Sequence, residues 1–202
     1  MGSPQTLSET DRRTVAAWAA DCAEHVLAIF ESAAPGDGRP RELIARTRLF
    51  ARGELDVADE IRRRFIGGVP AGEVQDPAAM AAARAAGQAA GIPHMGAHAL
   101  GAAAYAAQAA GLAAPHRAVA VDEEVRWQLD HMSAAVSAAL RLLPPVGENR
   151  QGPLGPGLLA SGLLGRIISD LQARLADSDD THHIGCGNRP GHQATAEAVR
   201  RA

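Results

Sequence analysis

The stretch from His94 to Pro115 contains no Asp, Glu, Lys or Arg and consists mainly of alanine and glycine. A helix on the surface of a protein normally carries charged side chains on its solvent-facing side, so an uncharged stretch of this length is expected to be buried. Alanine has the highest helix propensity, and glycine lets neighbouring backbones approach closely. We therefore predict a central Ala/Gly-rich helix, around which the other elements pack.

A membrane span is the weaker interpretation of this stretch. Alanine and glycine contribute little transfer free energy, and the span would place His94, His98 and Gln108 in hydrocarbon. Aromatic residues make up only 3% of the chain, so a core must come from small side chains together with Leu, Val and Ile, which helices accommodate well. We expect no membrane partner.

Caps and breakers recur along the chain at helix-length intervals. Ser8, Asp76, Asp122 and Ser133 have the character of N-caps, and glycine or proline follows most of the predicted helices. The predicted helices span residues 8–34, 40–54, 56–65, 77–91, 93–111, 122–132, 133–143 and 158–176. No stretch alternates with the period of a strand. The sequence predicts an all-α, single-domain, multi-helix array of about seven or eight helices.

The domain is expected to span residues 8–176. We predict a flexible N-terminus at residues 1–7 and a disordered tail at residues 177–202, because the tail has few apolar anchors. Three histidines and Cys186 in the tail could chelate a stray metal ion, but composition gives this little weight as function.

Charge and composition exclude several classes of function. The net charge of −3 shows no basic surplus, so nucleic acid is not an expected partner. The chain has no lysine, which removes P-loop ATPases and Schiff-base chemistry. Cys22 and Cys186 lie far apart without CxxC spacing, and the N-terminus lacks the apolar segment of a secretion signal. We therefore expect a cytoplasmic location.

A polar stripe is predicted along the central helix. At about 100° per residue, His94, His98, Tyr105 and Gln108 fall on one side of it. Two histidines four residues apart can share a metal ion, but the glutamate of an HExxH motif is missing. With Arg84 of the preceding helix, these residues form our candidate binding stripe. Hydrogen bonding between helices is the alternative role for the histidines, and we predict no metal or cofactor.

Two weaker patterns involve aromatic and sulfur-containing side chains. Trp18, Cys22 and His25 share one face of the first predicted helix, which favours core packing over a reactive thiolate. Trp127 and His131 lie four residues apart, a spacing more typical of a packing pair than of a ligand site. Arg84 is expected either to pair with a buried acid or to be solvated.

Extended stretches of the sequence resemble a known family. WAADCAEHVL, RPRELIARTRLFARGE, AAARAAGQAAG and HMGAHALGAAAYAAQAAG occur in that order within residues 8–132. They are similar to the bacterial putative immunity protein family, the Imm-five-like all-helical domain common in actinobacteria. The resemblance implies a non-enzymatic protein of a toxin–antitoxin type of system, which binds and neutralises a cognate toxin. It transfers no catalytic residues.

Two classes of function therefore stay open. The first is an interaction protein whose helical surface binds a toxin, and the second is a metal- or small-molecule-binding protein or enzyme with a cleft at His94, His98 and Tyr105. Enzymes bring acid, base and nucleophile together, whereas the candidates here are scattered along the chain. We favour the interaction protein.

Overall fold

The computed structural model describes residues 3–63, 66–70 and 73–183, the last six as backbone only. Throughout these residues the regular structure is helical and no β-strand forms, which confirms the predicted all-α class. Nine α-helices lie in this part of the chain: α1 (Glu9–His25), α2 (Leu27–Ala33), α3 (Arg39–Ala51), α4 (Val57–Arg63), α5 (Pro77–Gly91), α6 (His98–Ala113), α7 (Arg117–Asp130), α8 (Ala134–Arg141) and α9 (Gly162–His183). The predicted number of seven or eight is therefore too low.

The uncharged stretch forms the centre of the protein, as predicted. Its helix, α6, packs against α1, α5, α7 and α9. Most of its side chains are buried, and Leu100, Ala103 and Ala106 have no exposed surface. Because α6 presents mainly methyl groups, several helices can surround it closely.

The start of α6 differs from the prediction. We expected Pro93 to begin the helix, but residues 92–97 form turns and α6 begins at His98. The N–H groups of Gly96 and Ala97 donate to the carbonyls of Thr6 and Gln5, each over 3.0 Å. These two amides are therefore bound to the N-terminal segment instead of to a preceding helical turn.

The N-terminal segment also binds the connector between α8 and α9. Gln5, within the predicted flexible residues 1–7, is fully buried. Its side-chain amide donates to the Gln151 carbonyl over 2.6 Å, and its Oε1 accepts from the Leu154 N–H over 2.9 Å. One side chain thereby joins the N-terminal segment to the connector that precedes α9.

A break at Val26 accounts for the additional helix. The sequence predicted one helix over residues 8–34, but Val26 leaves the helical conformation, with φ −105° and ψ 3°, and separates α1 from α2. Neither proline nor glycine marks this position, so propensity alone did not predict the break.

Local capping signals were predicted correctly where the side chain bonds to its own helix. The side chains of Ser8, Asp76 and Ser133 accept from backbone N–H groups in the first turns of α1, α5 and α8. The predicted cap at Asp122 is wrong, because Asp122 lies inside α7 and pairs with Arg126 over 2.6 Å and with Arg174 over 2.9 Å.

Two other helix boundaries also differ from the prediction. Gly111 does not end α6, which continues to Ala113. The predicted helix over 158–176 is divided into a 3₁₀ turn, Leu158–Ala160, and α9, which extends to His183. Residues 184–202 of the predicted tail lie outside the described residues, as do the last two residues of the helix predicted over 56–65. None of the helices in the described ranges has the length and apolarity needed to cross a membrane.

Candidate functional site

The structure separates the predicted binding stripe into different environments. His94 lies in the turns before α6 and is not on the helix with His98. The predicted geometry of two histidines one helical turn apart is therefore wrong. His98, Tyr105 and Gln108 do share α6, and Arg84 lies on the neighbouring helix α5.

His98 is held between α5 and α6. Its Nδ1 donates to Oε1 of Gln88 over 2.8 Å. A Cβ added at Gly91 of α5 would lie 3.0 Å from Cγ and Cδ2 of His98, so the imidazole rests directly against the α5 backbone. This contact supports the structural alternative that we considered for the histidine.

Tyr105 is buried in the same helix contact. Only 3% of its surface is exposed, and the Arg84 guanidinium lies 5.8 Å from the centre of its ring. Burial raises the pKa of Tyr105, and the charge and hydrogen bond of Arg84 oppose part of that rise. Gln108 is partly exposed further along α6. His98 and Tyr105 therefore lie against residues of α5, and a ligand-binding role for the stripe stays a prediction.

The described ranges offer little for metal binding or thiol chemistry. These ranges contain no group of three or more His, Cys, Asp or Glu that could hold a metal ion. Of the tail residues that could chelate a metal, Cys186 and His192 lie outside them, and His182 and His183 are described as backbone only. Cys22 is fully buried, and burial, followed by the charges of Glu124 and Asp21, raises the pKa of its thiol well above the usual value. Such a thiol is a poor nucleophile.

A different group of side chains reaches the surface at the ends of α1 and α7. The indole of Trp127 lies between two imidazoles: its ring centre is 3.7 Å from that of His25 and 4.2 Å from that of His131. The first pair is nearly parallel, at 6°. His131 also donates from Nδ1 to the Trp127 carbonyl over 2.8 Å. We call His25, Trp127 and His131 the aromatic cluster.

A buried polar network supports the aromatic cluster from below. His25 Nδ1 donates to Oε2 of Glu124 over 2.7 Å, and that carboxylate is almost fully buried. Gln128 donates to the other oxygen of Glu124 over 3.0 Å and to the Ala103 carbonyl of α6 over 3.1 Å. Trp18 donates to the Gln128 carbonyl over 2.9 Å. The orientation of the cluster is thus set by bonds that extend into the core.

Carboxylates lie beside the aromatic cluster. Asp21 and Glu24 line the same shallow cleft as its three rings. Both pair with Arg48 of α3, the Asp21 pair over 2.7 Å. Burial disfavours the charged form of Arg48, but these hydrogen bonds outweigh it and raise its pKa.

The residues of the aromatic cluster appear in the sequence only as separate patterns. Trp127 and His131 were predicted as a packing pair, and His25 was placed on a helix face with Trp18. The missing step was the contact between α1 and α7, because residues about 100 positions apart cannot be paired from spacing. The available signal in the sequence was Trp127 itself, an aromatic residue in a predicted helix that also carries several carboxylates.

Comparison with known proteins found one family. A family model described as "Imm-5 like putative immunity protein" matches residues 5–135. The match covers nearly two thirds of the chain and includes α1 to α7, hence the whole aromatic cluster. No curated protein and no solved structure matched the chain.

Proposed function

We propose that this chain, which belongs to the Imm-5 like putative immunity protein family, binds a cognate bacterial toxin and neutralises it. The family indicates a non-enzymatic function and a toxin as the kind of partner. That the chain neutralises the toxin by binding it directly is our own proposal, which goes beyond what the family indicates. The family match over residues 5–135 is the observation that carries the proposal, because it includes the central helix together with α1, α5 and α7, which pack against it.

The chemistry of the described side chains supports a binding role. Acyl or phosphoryl transfer by covalent catalysis needs an accessible nucleophile next to a base. The thiol of Cys22 is buried, with a raised pKa, and the His25–Glu124 pair supports the stacked indole. An aromatic surface held in place by internal hydrogen bonds is typical of a protein interface.

The alternative is a metal- or small-molecule-binding protein or enzyme at His94, His98 and Tyr105. It has less support, because His98 bonds to Gln88 and Tyr105 is buried against α5. Elemental analysis of the purified protein tests it directly: stoichiometric metal would favour this alternative over the immunity role.

Co-expression with the product of the neighbouring gene tests the immunity role. If that gene encodes a toxin, its expression should stop growth of a host strain, and co-expression of this chain should restore growth. The two proteins should also co-elute in size-exclusion chromatography, using a toxin variant without activity. Growth arrest that this chain does not relieve, together with separate elution, would contradict the proposal.

A further inference from the structure

Trp127 differs from the other aromatic side chains of the described ranges. Five Phe, Tyr or Trp residues fall in these ranges; Trp18, Phe30, Phe50 and Tyr105 are buried, and Trp127 is partly exposed. Large aromatic side chains contribute most when they are removed from water. Trp127 is nevertheless partly exposed to solvent, near the C-terminal ends of α1 and α7.

The stack keeps Trp127 in one orientation before any partner binds. Both faces of the indole are covered, one by His25 and one by His131. Side chains that are already ordered lose little conformational entropy on association, and tryptophan is enriched among the residues that contribute most to binding. The free surfaces are the edge of the indole and the outer faces of the imidazoles, since the His25 side chain is 41% exposed.

The electrostatic environment of this surface is negative. α1 ends at His25 and α7 ends at Asp130, and the C-terminal end of a helix carries a partial negative charge. Asp21 and Glu24 are exposed beside the rings, and Arg48 is bound between them. Arg126 on α7 pairs with Asp122, on the preceding turn, and Asp122 also pairs with Arg174. Because Asp21 and Glu24 share the single cation Arg48, these three side chains keep one net negative charge.

We infer that the aromatic cluster, with Asp21 and Glu24, is a docking surface for an arginine-bearing segment of a protein partner. The inference rests on the proposed function and specifies the surface and chemistry of the toxin contact. A guanidinium is planar, so it can stack on the outer face of the His25 or His131 imidazole while its N–H groups bond to the carboxylates. The negative ends of α1 and α7 attract such a cation and repel polyanions such as nucleic acid.

A peptide experiment tests the chemistry without the toxin. Acetylated triarginine amide is titrated into the full chain, with triglutamine amide as the matched neutral peptide, and the Trp127 indole N–H is followed by NMR. Triarginine should shift this resonance saturably, and added salt should weaken the effect. Equal shifts from both peptides, or none from triarginine, would overturn the inference.

Variants locate the contact. Trp127→Ala should reduce the affinity for triarginine at least tenfold, and so should the double variant Asp21→Asn with Glu24→Gln. Because the first variant lacks the indole, its titration is followed by the His131 ring resonances. Leu142→Ala, which shortens an exposed apolar side chain after α8, and Glu148→Gln, which removes an exposed charge in the connector, are the matched controls and should change nothing. The double variant removes charge at exposed positions, so it keeps the test valid if Trp127→Ala folds poorly. Unchanged affinity in the double variant would overturn the inference.

The toxin complex separates this inference from the proposed function. Trp127→Ala should weaken binding to the inactive toxin at least tenfold, and Leu142→Ala should not. If the wild type binds the toxin and Trp127→Ala binds equally well, the docking surface is wrong while the immunity role stands. If the wild type does not bind it, the immunity role fails and the peptide titration alone decides the chemistry of the surface.

Discussion

Space beside individual glycines determines how α5 and α6 meet. At Gly101 of α6, an added Cβ would lie 2.4 Å from Oε1 of Gln88, the atom that accepts from His98. At Gly91 of α5, it would lie 3.0 Å from the His98 ring. The His98–Gln88 hydrogen bond thus occupies space that a side chain at Gly91 or Gly101 would fill. The polar stripe seen in the sequence is largely an internal contact between the two helices.

Glycine substitutions at two helical positions should have opposite effects. Gly87 has no atom within 4 Å of an added Cβ, so Gly87→Ala should stabilise the fold by about 0.5–1 kcal/mol through helix propensity. At Gly111 the added Cβ would lie 2.5 Å from Cγ2 of Val121, so Gly111→Ala should destabilise it by about 1–3 kcal/mol. Urea unfolding of both variants measures the difference. Stabilisation by both substitutions would show that propensity dominates and that α6 and α7 separate easily.

Loss of the imidazole at position 98 should affect stability. His98→Ala removes the donor to Gln88 and opens space above Gly91, so we expect a loss of about 1–3 kcal/mol with binding per folded molecule unchanged. His94→Ala, in the preceding turns, is the comparison variant. Thermal melts of both, paired with elemental analysis of the wild type, check this. A normal melting temperature with lost metal or lost ligand binding would restore the binding interpretation of the stripe.

Helix boundaries were predictable where their causes are local. The caps at Ser8, Asp76 and Ser133 depend on bonds within one helical turn, and the sequence predicted them. The start of α6 depends on carbonyls of Thr6 and Gln5, about ninety residues earlier. Asp122 looked like a cap because its partner on α9, Arg174, is distant in sequence. The aromatic cluster escaped prediction for the same reason.

The alanine face of α6 should tolerate little added volume. Ala103 is fully buried, and its carbonyl accepts from Gln128 of α7. Ala103→Leu should therefore overpack the contact and cost about 1–3 kcal/mol. Chemical unfolding measures the cost, and Ala113→Leu, at the exposed end of α6, serves as the control. An unchanged midpoint for Ala103→Leu would mean that neighbouring helices do not surround α6 closely.

At the scale of the whole molecule, the residues that form the centre of the core and those of the proposed partner surface lie in different parts of the fold. The uncharged stretch, which raised the question of a metal site or a membrane span, supplies the central helix of the fold. The proposed partner surface lies at the ends of α1 and α7, where side chains from distant parts of the sequence meet. The fold class could be predicted from composition and from the capping and helix-breaking residues. The proposed partner surface could be identified only from the tertiary structure.

Hydrogen–deuterium exchange of the full chain, alone and with the inactive toxin, tests this division most directly. Amides in the best-packed elements exchange only when the fold opens globally. We predict that α6 exchanges slowest in the free protein and that toxin slows exchange in the last turns of α1 and α7 without changing α6. Rapid exchange of α6 in the free protein, or protection by toxin confined to the segment around His98 and Tyr105, would contradict the account.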